Sequence, residues 1–279
     1  MAPVAALDTF AAIWASSVDR RTDAIFLVSE GPDGLVSKWT YGEFDGVVNR
    51  VAATLASNGV EPGSPVHMAL ANCPAFVAVW LAAIRLGAWV VTSDPMGGEV
   101  ELRGHIGRTR PVVGICAASR AGVYLSACGA LRVIEVEEHD PDLVAFGCDP
   151  IRLLTAPAPA PTDRAAVMFT SGTTGVPKGV EVTQANYAFA GRTMAAAAGL
   201  DETDRQLVVL PLFHANAQYY SFASSIWAGA SVALMSSFTA SGFLGQAARH
   251  EATTASLFAA PMRMILARGR PVDDLRLRQ

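Results

Sequence analysis

The chain has 279 residues, of which 51% are hydrophobic and only 16% are charged, and this composition excludes an intrinsically disordered protein. The length suits one large domain or two ordinary ones. Because 21 Lys and Arg residues face 25 Asp and Glu residues, the formal net charge is −4, and the absence of a basic surplus argues against nucleic acid as a main partner.

The first predicted element is a helix that begins near Thr40. Thr40 and Glu43 have the spacing of a capping box, apolar residues then recur at helical intervals, and Gly59 stands where a helix commonly ends in the left-handed conformation. After a turn, apolar strands and helices alternate. The sequence predicts strands over 66–70, 88–92, 112–116 and 131–136, and helices over 74–86 and 99–108, with another short helix between the last two strands.

Residues 155–162 read TAPAPAPT and interrupt this alternation. Alternating Pro and Ala can neither pair in a sheet nor continue a helix, so we expect a stiff connector between two sheets or lobes, 1–154 and 163–279. The alternation then resumes. The sequence predicts strands over 165–169, 179–182, 206–210, 231–235 and 255–258, and helices over 183–198, 217–227, 241–251 and 262–268. Strands that are apolar throughout and separated by helices predict an α/β fold with two largely parallel sheets flanked by helices.

The cysteines and the N-terminus bear on the compartment. Four scattered cysteines form no CxxC pair or Cys/His cluster, which favours buried free thiols over disulfides or a metal site: Cys73, Cys116, Cys128 and Cys148. Residues 1–21 lack the pattern of a signal peptide, and the apolar stretch 76–84 is too short to span a bilayer. We therefore expect a cytoplasmic protein with no membrane partner and no metal site made by its own side chains.

One loop has a composition that suits a nucleoside triphosphate. Residues 170–179 read Thr-Ser-Gly-Thr-Thr-Gly-Val-Pro-Lys-Gly, and they include Lys178, one of only two lysines in the chain. Glycines let an anion approach the backbone amides, hydroxyls donate hydrogen bonds, and the lysine offsets charge. An ordinary surface loop between two strands is the alternative. The loop is not a Walker A motif, because Pro177 and Gly179 flank the lysine.

The run 165–186, AAVMFTSGTTGVPKGVEVTQAN, resembles the phosphate-loop signature of the AMP-forming adenylating enzymes, which include acyl-CoA synthetases, luciferases and the adenylation domains of peptide synthetases. The run 210–220, LPLFHANAQYY, is similar to the second core motif of that family. Weaker similarity extends over about residues 25–270, through segments 39–44 and 59–63 and several shorter matches. The Phe213–His214 pair with the run Gln218-Tyr219-Tyr220, together with the spacing of Phe243 and Gln246, looks most like the carnitine- or crotonobetaine-CoA ligase branch.

The resemblance implies a reaction and a set of site residues. Such enzymes join a small carboxylic acid to ATP with Mg²⁺, and a thiol of coenzyme A or phosphopantetheine then displaces AMP. The residues that would surround the β- and γ-phosphates are Thr170, Ser171, Gly172, Thr173, Thr174, Gly175 and Lys178. Lys178 and His214 are the catalytic candidates, and Mg²⁺ would be held largely by the phosphates. The candidates for the acyl pocket are Phe213, His214, Tyr219 and Tyr220. A core histidine at a strand end is the alternative for His214, and plain core packing is the alternative for the other three residues.

The other four histidines show no partner pattern and are interpreted as surface or core residues: His67, His105, His139 and His250. The later motifs of the family, including its small C-terminal domain, would follow residue 279. We therefore expect an incomplete large N-terminal domain that turns over slowly by itself. Two alternatives stay open: an adenylating domain with another acceptor, such as a carrier protein or an amine, and a non-catalytic nucleotide- or partner-binding half-domain. Exposed sheet edges would favour a homo-oligomer.

Overall fold

The structure, a computed structural model, describes residues 7–147, 157–170, 177–268 and 277. The strands within these ranges are β1 (Ile25–Glu30), β2 (Val36–Thr40), β3 (Pro65–Ala69), β4 (Trp89–Thr92), β5 (Val113–Ala117), β6 (Arg132–Val136), β7 (Arg164–Thr170), β8 (Lys178–Thr183), β9 (Arg205–Val208), β10 (Ser231–Met235) and β11 (Thr254–Ala255). The α-helices are α1 (Phe10–Arg21), α2 (Tyr41–Ser57), α3 (Pro74–Arg85), α4 (Glu99–Thr109), α5 (Ala121–Cys128), α6 (Gln184–Ala198), α7 (Ser224–Ala228), α8 (Phe243–Arg249) and α9 (Ala259–Leu266).

The strands form two sheets, as the alternation of apolar strands and helices predicts. The first sheet has six strands in the order β6-β5-β3-β4-β7-β8, and the second has five in the order β11-β9-β10-β1-β2. All pairs are parallel except β7 with β8 and β1 with β2. Helices connect the parallel strands and cover the sheets, so the predicted α/β class with two largely parallel sheets is confirmed.

The prediction that the connector 155–162 separates the two sheets is wrong. Strand β7, which follows the connector, pairs in parallel with β4, which precedes it. Strand β1, near the N-terminus, pairs in parallel with β10. Each sheet therefore draws strands from both sides of the connector, and the boundaries 1–154 and 163–279 do not coincide with the sheets. The physical reason is that strand pairing is decided by which apolar edges can be buried together, which a local Pro/Ala composition does not report.

Capping and glycine positions are confirmed at the ends of helix α2. The Thr40 side chain accepts from the Glu43 amide at 3.1 Å, and the Glu43 carboxylate accepts from the Thr40 amide at 2.8 Å. The helix ends just before Gly59, whose φ is +88°. Pairing of these otherwise free backbone groups fixes the first and last turns, so the bounds of the helix are close to those predicted.

The sequence prediction missed the first three elements and misjudged two others. Helix α1 and strands β1 and β2 precede the first predicted element. The predicted helix over 217–227 begins instead with a π-helical segment, Ala217–Ala223, which continues into α7. The predicted strand over 255–258 is reduced to the two residues of β11, and residues 256–258 lead into α9.

Helix α3 occupies the centre of the core. Every residue from Pro74 to Ile84 is buried, and the helix belongs to a cluster that takes apolar side chains from both sheets. A helix that is apolar on all sides needs cover on all sides, and α3 obtains it from the sheets and from helices α1 and α2. The two sheets are therefore joined by one continuous core, which holds the ends of their strands in fixed relative positions.

Candidate active site

A cavity of about 990 Å³ opens where strands β4 and β7 end. These are neighbouring parallel strands, so their carboxyl ends meet at one edge of the first sheet, the usual position of ligand sites in open α/β sheets. Three parts of the chain line the cavity: the end of β4 with the helix α4 that follows, both sides of the segment 171–176, and the loop after β9. The lining residues are Thr92, Ser93, Asp94, Gly98, Val100, Glu101, Gly104, His105, Arg108, Phe169, Thr170, Pro177, Phe213 and His214.

The buried side chain of Asn72 fixes the loop after β9 against the first sheet. Its amide nitrogen donates to the Leu210 carbonyl at 3.0 Å and to the Met235 carbonyl at 3.1 Å, and its oxygen accepts from the Leu212 amide at 2.8 Å. Asn72 follows β3, whereas its partners lie at or just beyond the ends of β9 and β10. One side chain therefore connects the carboxyl ends of the two sheets and sets the position of residues 213 and 214.

Phe213 and His214 both line the cavity. The Thr92 hydroxyl donates to the Phe213 carbonyl at 3.1 Å, and the two rings lie with their centroids 4.2 Å apart. Partial burial lowers the pKa of His214 below its ordinary value, while the nearby Asp94 carboxylate opposes that shift. The imidazole is therefore neutral at pH 7 and able to donate one hydrogen bond and accept another beside the cavity.

Thr170 and Lys178 face each other across the two strands that flank the segment 171–176. Thr170 is paired with Lys178 in the antiparallel register of β7 and β8, and its hydroxyl donates to the Lys178 carbonyl at 3.4 Å. Both residues are exposed, and Thr170 also lines the cavity. The other phosphate-loop candidates lie outside the described residues: Ser171, Gly172, Thr173, Thr174 and Gly175.

The two tyrosines predicted for the acyl pocket do not line this cavity. Tyr219 is packed edge-on against the buried Tyr187 ring at 5.1 Å, and burial raises the pKa of Tyr219 to about 12. Tyr220 is 43% exposed and lines a separate cavity of about 340 Å³. That smaller cavity is bounded by Met194, Ala198, Gln206, Tyr220, Thr254, Ala255, Ser256 and Leu257. The π-helical segment, in which the backbone is wound more widely than in an α-helix, places consecutive tyrosines in these different surroundings.

The sequence prediction missed the polar residues that α4 and the end of β4 contribute to the cavity. His105 and Ser93 are buried, and both belong to a row of hydrogen-bonded side chains that also contains His67. The core interpretation of His67 and His105 is confirmed, but both have polar partners that no sequence pattern indicated. His250 is also buried, and its Nε2 atom lies 2.5 Å from the Glu30 carboxylate. The one sequence feature that could have indicated this part of the cavity is the spacing of His105 and Arg108, which places both residues on the same side of one predicted helix.

The described residues contain no cluster of three or more His, Cys, Asp or Glu side chains arranged to hold a metal ion. Cys73, Cys116 and Cys128 are buried free thiols, as predicted, while Cys148 lies outside the described residues. Burial is the main reason why the pKa of the Cys116 thiol rises to about 12, which leaves that thiol uncharged and unreactive. In the part of the chain that the structure describes, no helix combines the length and the apolar composition that crossing a bilayer requires.

Comparison with known proteins gives a consistent result. The family model described as "AMP-binding enzyme" matches residues 14–278. Crotonobetaine/carnitine–CoA ligase of Escherichia fergusonii is 28% identical over 274 residues, a match that covers 94% of this chain and 53% of the relative. A fatty acyl CoA synthetase of Mycobacterium tuberculosis superposes with a TM-score of 0.82 at 18% identity, over 97% of this chain and 54% of the other.

A further solved structure, the anthranilate CoA ligase AuaEII in complex with anthranoyl-AMP, superposes with a TM-score of 0.80 at 20% identity. That match covers 90% of this chain and 49% of the other. These two structures show a shared fold. The chain spans about half the length of the curated relatives that it matches.

Proposed function

Because this chain belongs to the AMP-binding enzyme family, we propose that it takes part in the ATP-dependent activation of a small carboxylic acid and in the transfer of the acyl group to a thiol. The observation that carries this proposal is the cavity at the ends of β4 and β7, where Thr170 and the Phe213–His214 pair meet. Thr170 leads into the segment that resembles the phosphate loop, and His214 belongs to the second motif. Two motifs that are about 40 residues apart in sequence thus line one cavity.

The chemistry has two steps. In the first, a carboxylate oxygen attacks the α-phosphorus of ATP, the bond to the bridging oxygen breaks, and pyrophosphate leaves. In the second, a thiolate attacks the acyl carbonyl carbon, and AMP leaves with the electron pair of the acyl–oxygen bond. The protein has to hold a polyanionic leaving group in line and to stabilise its charge, so positioning and electrostatics supply most of the catalysis.

The phosphates would be held where β7 passes into β8. We assign the Thr170 hydroxyl and the Lys178 ammonium to the β- and γ-phosphate oxygens, together with Ser171, Gly172, Thr173, Thr174 and Gly175. Thr170 and Lys178 are opposite one another in the strand register, so both can approach one anion. An ammonium group acts on phosphate oxygens as a compact point charge.

The carboxylic acid would lie beside His214. Because its imidazole is neutral, the His214 side chain can orient the substrate carboxylate through one N–H without binding it so strongly that attack on ATP is slowed. Phe213 provides an apolar wall next to it. From the motif we also assign Tyr219 and Tyr220 to the acyl pocket, and Tyr220 lines the separate, smaller cavity. Both roles are proposals from the placement of the side chains and from the motif.

Mg²⁺ fits this site as an ion held mainly by the nucleotide. Mg²⁺ prefers oxygen ligands and retains several waters when it binds with phosphates. The lining of the cavity provides the Thr170 hydroxyl and the carboxylates of Asp94 and Glu101 as oxygen donors. When bound, the ion would neutralise charge on the phosphate oxygens.

The relative's name favours coenzyme A as the acceptor over a carrier protein or an amine, and crotonobetaine or carnitine as the first carboxylic acids to assay. The slow turnover of this chain by itself and its self-association stay predictions. For the latter, the described residues include several exposed apolar side chains on or next to α9: Phe258, Met262, Met264 and Leu266.

The two lysines allow a matched test of the phosphate assignment. Lys178→Ala should weaken Mg·ATP binding to this chain by about tenfold to a hundredfold, because it removes one charge-assisted contact. Isothermal titration calorimetry measures the affinity. Lys38→Ala is the control, since Lys38 is also exposed but lies on β2 in the other sheet.

Both substitutions should leave the melting temperature unchanged, because neither side chain is buried. Equal ATP affinities for the two variants and the parent would remove Lys178 from the phosphate site. A parent chain that binds no ATP would contradict the proposed function as a whole. Release of pyrophosphate on addition of a carboxylic acid, measured across a panel of small acids, then identifies the substrate.

A further inference from the structure

A row of four hydrogen-bonded side chains crosses one face of the first sheet and ends at the cavity. The Tyr124 hydroxyl lies 2.6 Å from His67 Nδ1, the Ser93 hydroxyl lies 2.9 Å from His67 Nε2, and the same Ser93 oxygen lies 2.7 Å from His105 Nδ1. All four side chains are buried. They come from α5, β3, the residue after β4, and α4, so the row joins four separate parts of the fold.

The row ends at an atom without a partner. Burial raises the pKa of Tyr124, so its hydroxyl keeps its proton and can donate to His67 Nδ1. The single Ser93 hydroxyl bridges the two histidines, and the tautomers of His67 and His105 set which atoms donate along the row. The His105 Nε2 atom is buried and has no hydrogen-bond partner among the described residues.

The sheet makes room for this row at Gly114. A Cβ atom at position 114 would overlap the Tyr124 hydroxyl, so only glycine lets that hydroxyl reach His67. Gly114 lies on β5, directly beside His67 on β3 in the parallel register. The absence of a side chain at position 114 thus provides the space that the hydrogen bond between Tyr124 and His67 needs. A chance contact between core side chains would not require such a space.

At its cavity end, the row orients the His105 ring against Phe169. The two rings are stacked with their centroids 3.8 Å apart and their planes only 4° from parallel. One turn later on α4, the Arg108 guanidinium lies 5.1 Å from the centroid of the same Phe169 ring and donates to the Pro177 carbonyl. Helix α4 therefore contacts the chain on both sides of the segment 171–176.

The His105 Nε2 atom is a buried polar atom that has no partner among the described residues, and such an atom subtracts from stability, whereas an apolar side chain of similar size at the same position would not. Groups of this kind in native proteins call for an explanation other than stability. The stacking geometry supplies one, because the hydrogen bond with Ser93 fixes the plane of the ring that Phe169 packs on.

We propose that His105, oriented by Ser93 and His67, and its neighbour Arg108 are positioning residues that hold Phe169 and Pro177, and with them Thr170 and Lys178, in the geometry that binds the triphosphate of ATP. The proposal rests on the proposed function for its ligand. It adds α4 and the buried row to the site as the elements that orient the phosphate-binding side chains without touching ATP.

Two measurements on four variants test it. The variants are His105→Leu, which removes the stacking and the hydrogen bond, His105→Phe, which keeps a stacking ring, Ser93→Ala, which breaks the row, and Ser17→Ala. Ser17 is the matched control, because it is a fully buried serine that donates to the Ile226 carbonyl at 2.6 Å and is not among the cavity-lining residues. Mg·ATP affinity is measured by calorimetry, and amide hydrogen exchange is measured by mass spectrometry.

We expect His105→Leu to weaken ATP binding by about tenfold, which corresponds to about 1.4 kcal/mol. Ser93→Ala should weaken it less, and His105→Phe should recover part of the loss. Amides at the end of β7 and the start of β8 should exchange faster in His105→Leu and Ser93→Ala. The Ser17→Ala chain should lose stability, yet keep the parent's ATP affinity and its exchange in these two strands.

Faster exchange without any loss of ATP affinity would overturn the proposal, and so would parent-like exchange in both variants. A loss of affinity that Ser17→Ala shares would also overturn it, since general destabilisation would then explain the result. If the parent chain binds no ATP, the proposed function fails, and hydrogen exchange alone then decides whether His105 holds Phe169 and Pro177.

Discussion

The Asn72 junction and the row that ends at His105 are both buried and polar, yet they differ in how completely their hydrogen bonds are made. The Asn72 amide donates to two carbonyls and its oxygen accepts from one amide. The His105 row leaves the Nε2 atom of His105 without a partner among the described residues, at the edge of the cavity. The first is therefore a structural connection between the sheets, and the second bears a cost at the place where a ligand would bind.

This difference has a general physical basis. A buried polar group that finds all its partners rigidifies the fold, whereas a group that lacks one partner subtracts from stability. The contrast leads to different expectations for substitutions at the two places. Substitution of Asn72 should mainly lower the free energy of unfolding. Substitution of His105 should mainly change the affinity of the cavity for its ligand.

The largest effect is expected from Asn72→Ala. The substitution leaves the Leu210 and Met235 carbonyls and the Leu212 amide without their partner, so the free energy of unfolding should fall by roughly 3 kcal/mol or more. Urea denaturation followed by circular dichroism measures it. Asn49→Ala, at an exposed asparagine of α2, is the control. A loss no greater than that of the control would mean that Asn72 does not connect the sheets.

A smaller effect is expected from Gly114→Ala. The new methyl group would overlap the Tyr124 hydroxyl, so the free energy of unfolding should fall by about 2 kcal/mol, typical of overpacking in a core. Tyr124→Phe removes the hydroxyl, and the double variant should therefore lose less than the sum of the two single losses. Strict additivity in this double-mutant cycle would show that Gly114 is not fitted to the row.

The smallest effect is expected from mild acid. Burial lowers the pKa of His67 from 6.5 to about 3 and that of His105 to about 4. Below pH 6.5 the unfolded chain binds protons that the folded chain does not, so stability is lost as pH falls towards the folded pKa values. Between pH 7 and 6, we expect a loss of roughly 0.7 kcal/mol per histidine.

Denaturation midpoints measured at pH 7, 6 and 5 check this expectation. The same measurements on His105→Leu and Asn72→Ala separate the contribution of the histidine row from that of the Asn72 junction. His105→Leu should show a shallower decline with pH than the parent, because one buried neutral histidine is gone. Asn72→Ala should decline in parallel with the parent from its lower starting point. Identical pH slopes for His105→Leu and the parent would mean that the His105 pKa is not lowered in the folded protein.

Much of the local structure follows from short-range signals. The capping box at Thr40 and Glu43, the positive φ of Gly59 and Gly87, and the apolar runs of β4 and β10 are each determined within a few neighbouring residues. The motifs indicated the family, which the match over residues 14–278 confirms. The first three elements were missed because their apolar patterns are short and depend on the second sheet for burial.

Two features could not be predicted from neighbouring residues alone: the strand pairing across the connector and the hydrogen bonds that join His67 and His105. Pro and Ala over 155–162 indicate an extended segment, but they carry no information on which strands pair across it. His67 and His105 are 38 positions apart and have no common motif, so their junction through Ser93 could not be predicted. The two predicted acyl-pocket tyrosines lie in different surroundings: Tyr219 packs against Tyr187, while Tyr220 lines the smaller cavity.

The sequence by itself determined the α/β class, the family and the two motifs of the candidate site, because periodicity, capping and motif spacing act over short stretches of chain. Only the tertiary structure decided how the strands divide between the two sheets, that Asn72 joins them, and that His105 and Arg108 contact the chain on both sides of the segment 171–176. These features depend on contacts between residues far apart in sequence, which form only when the whole core is buried.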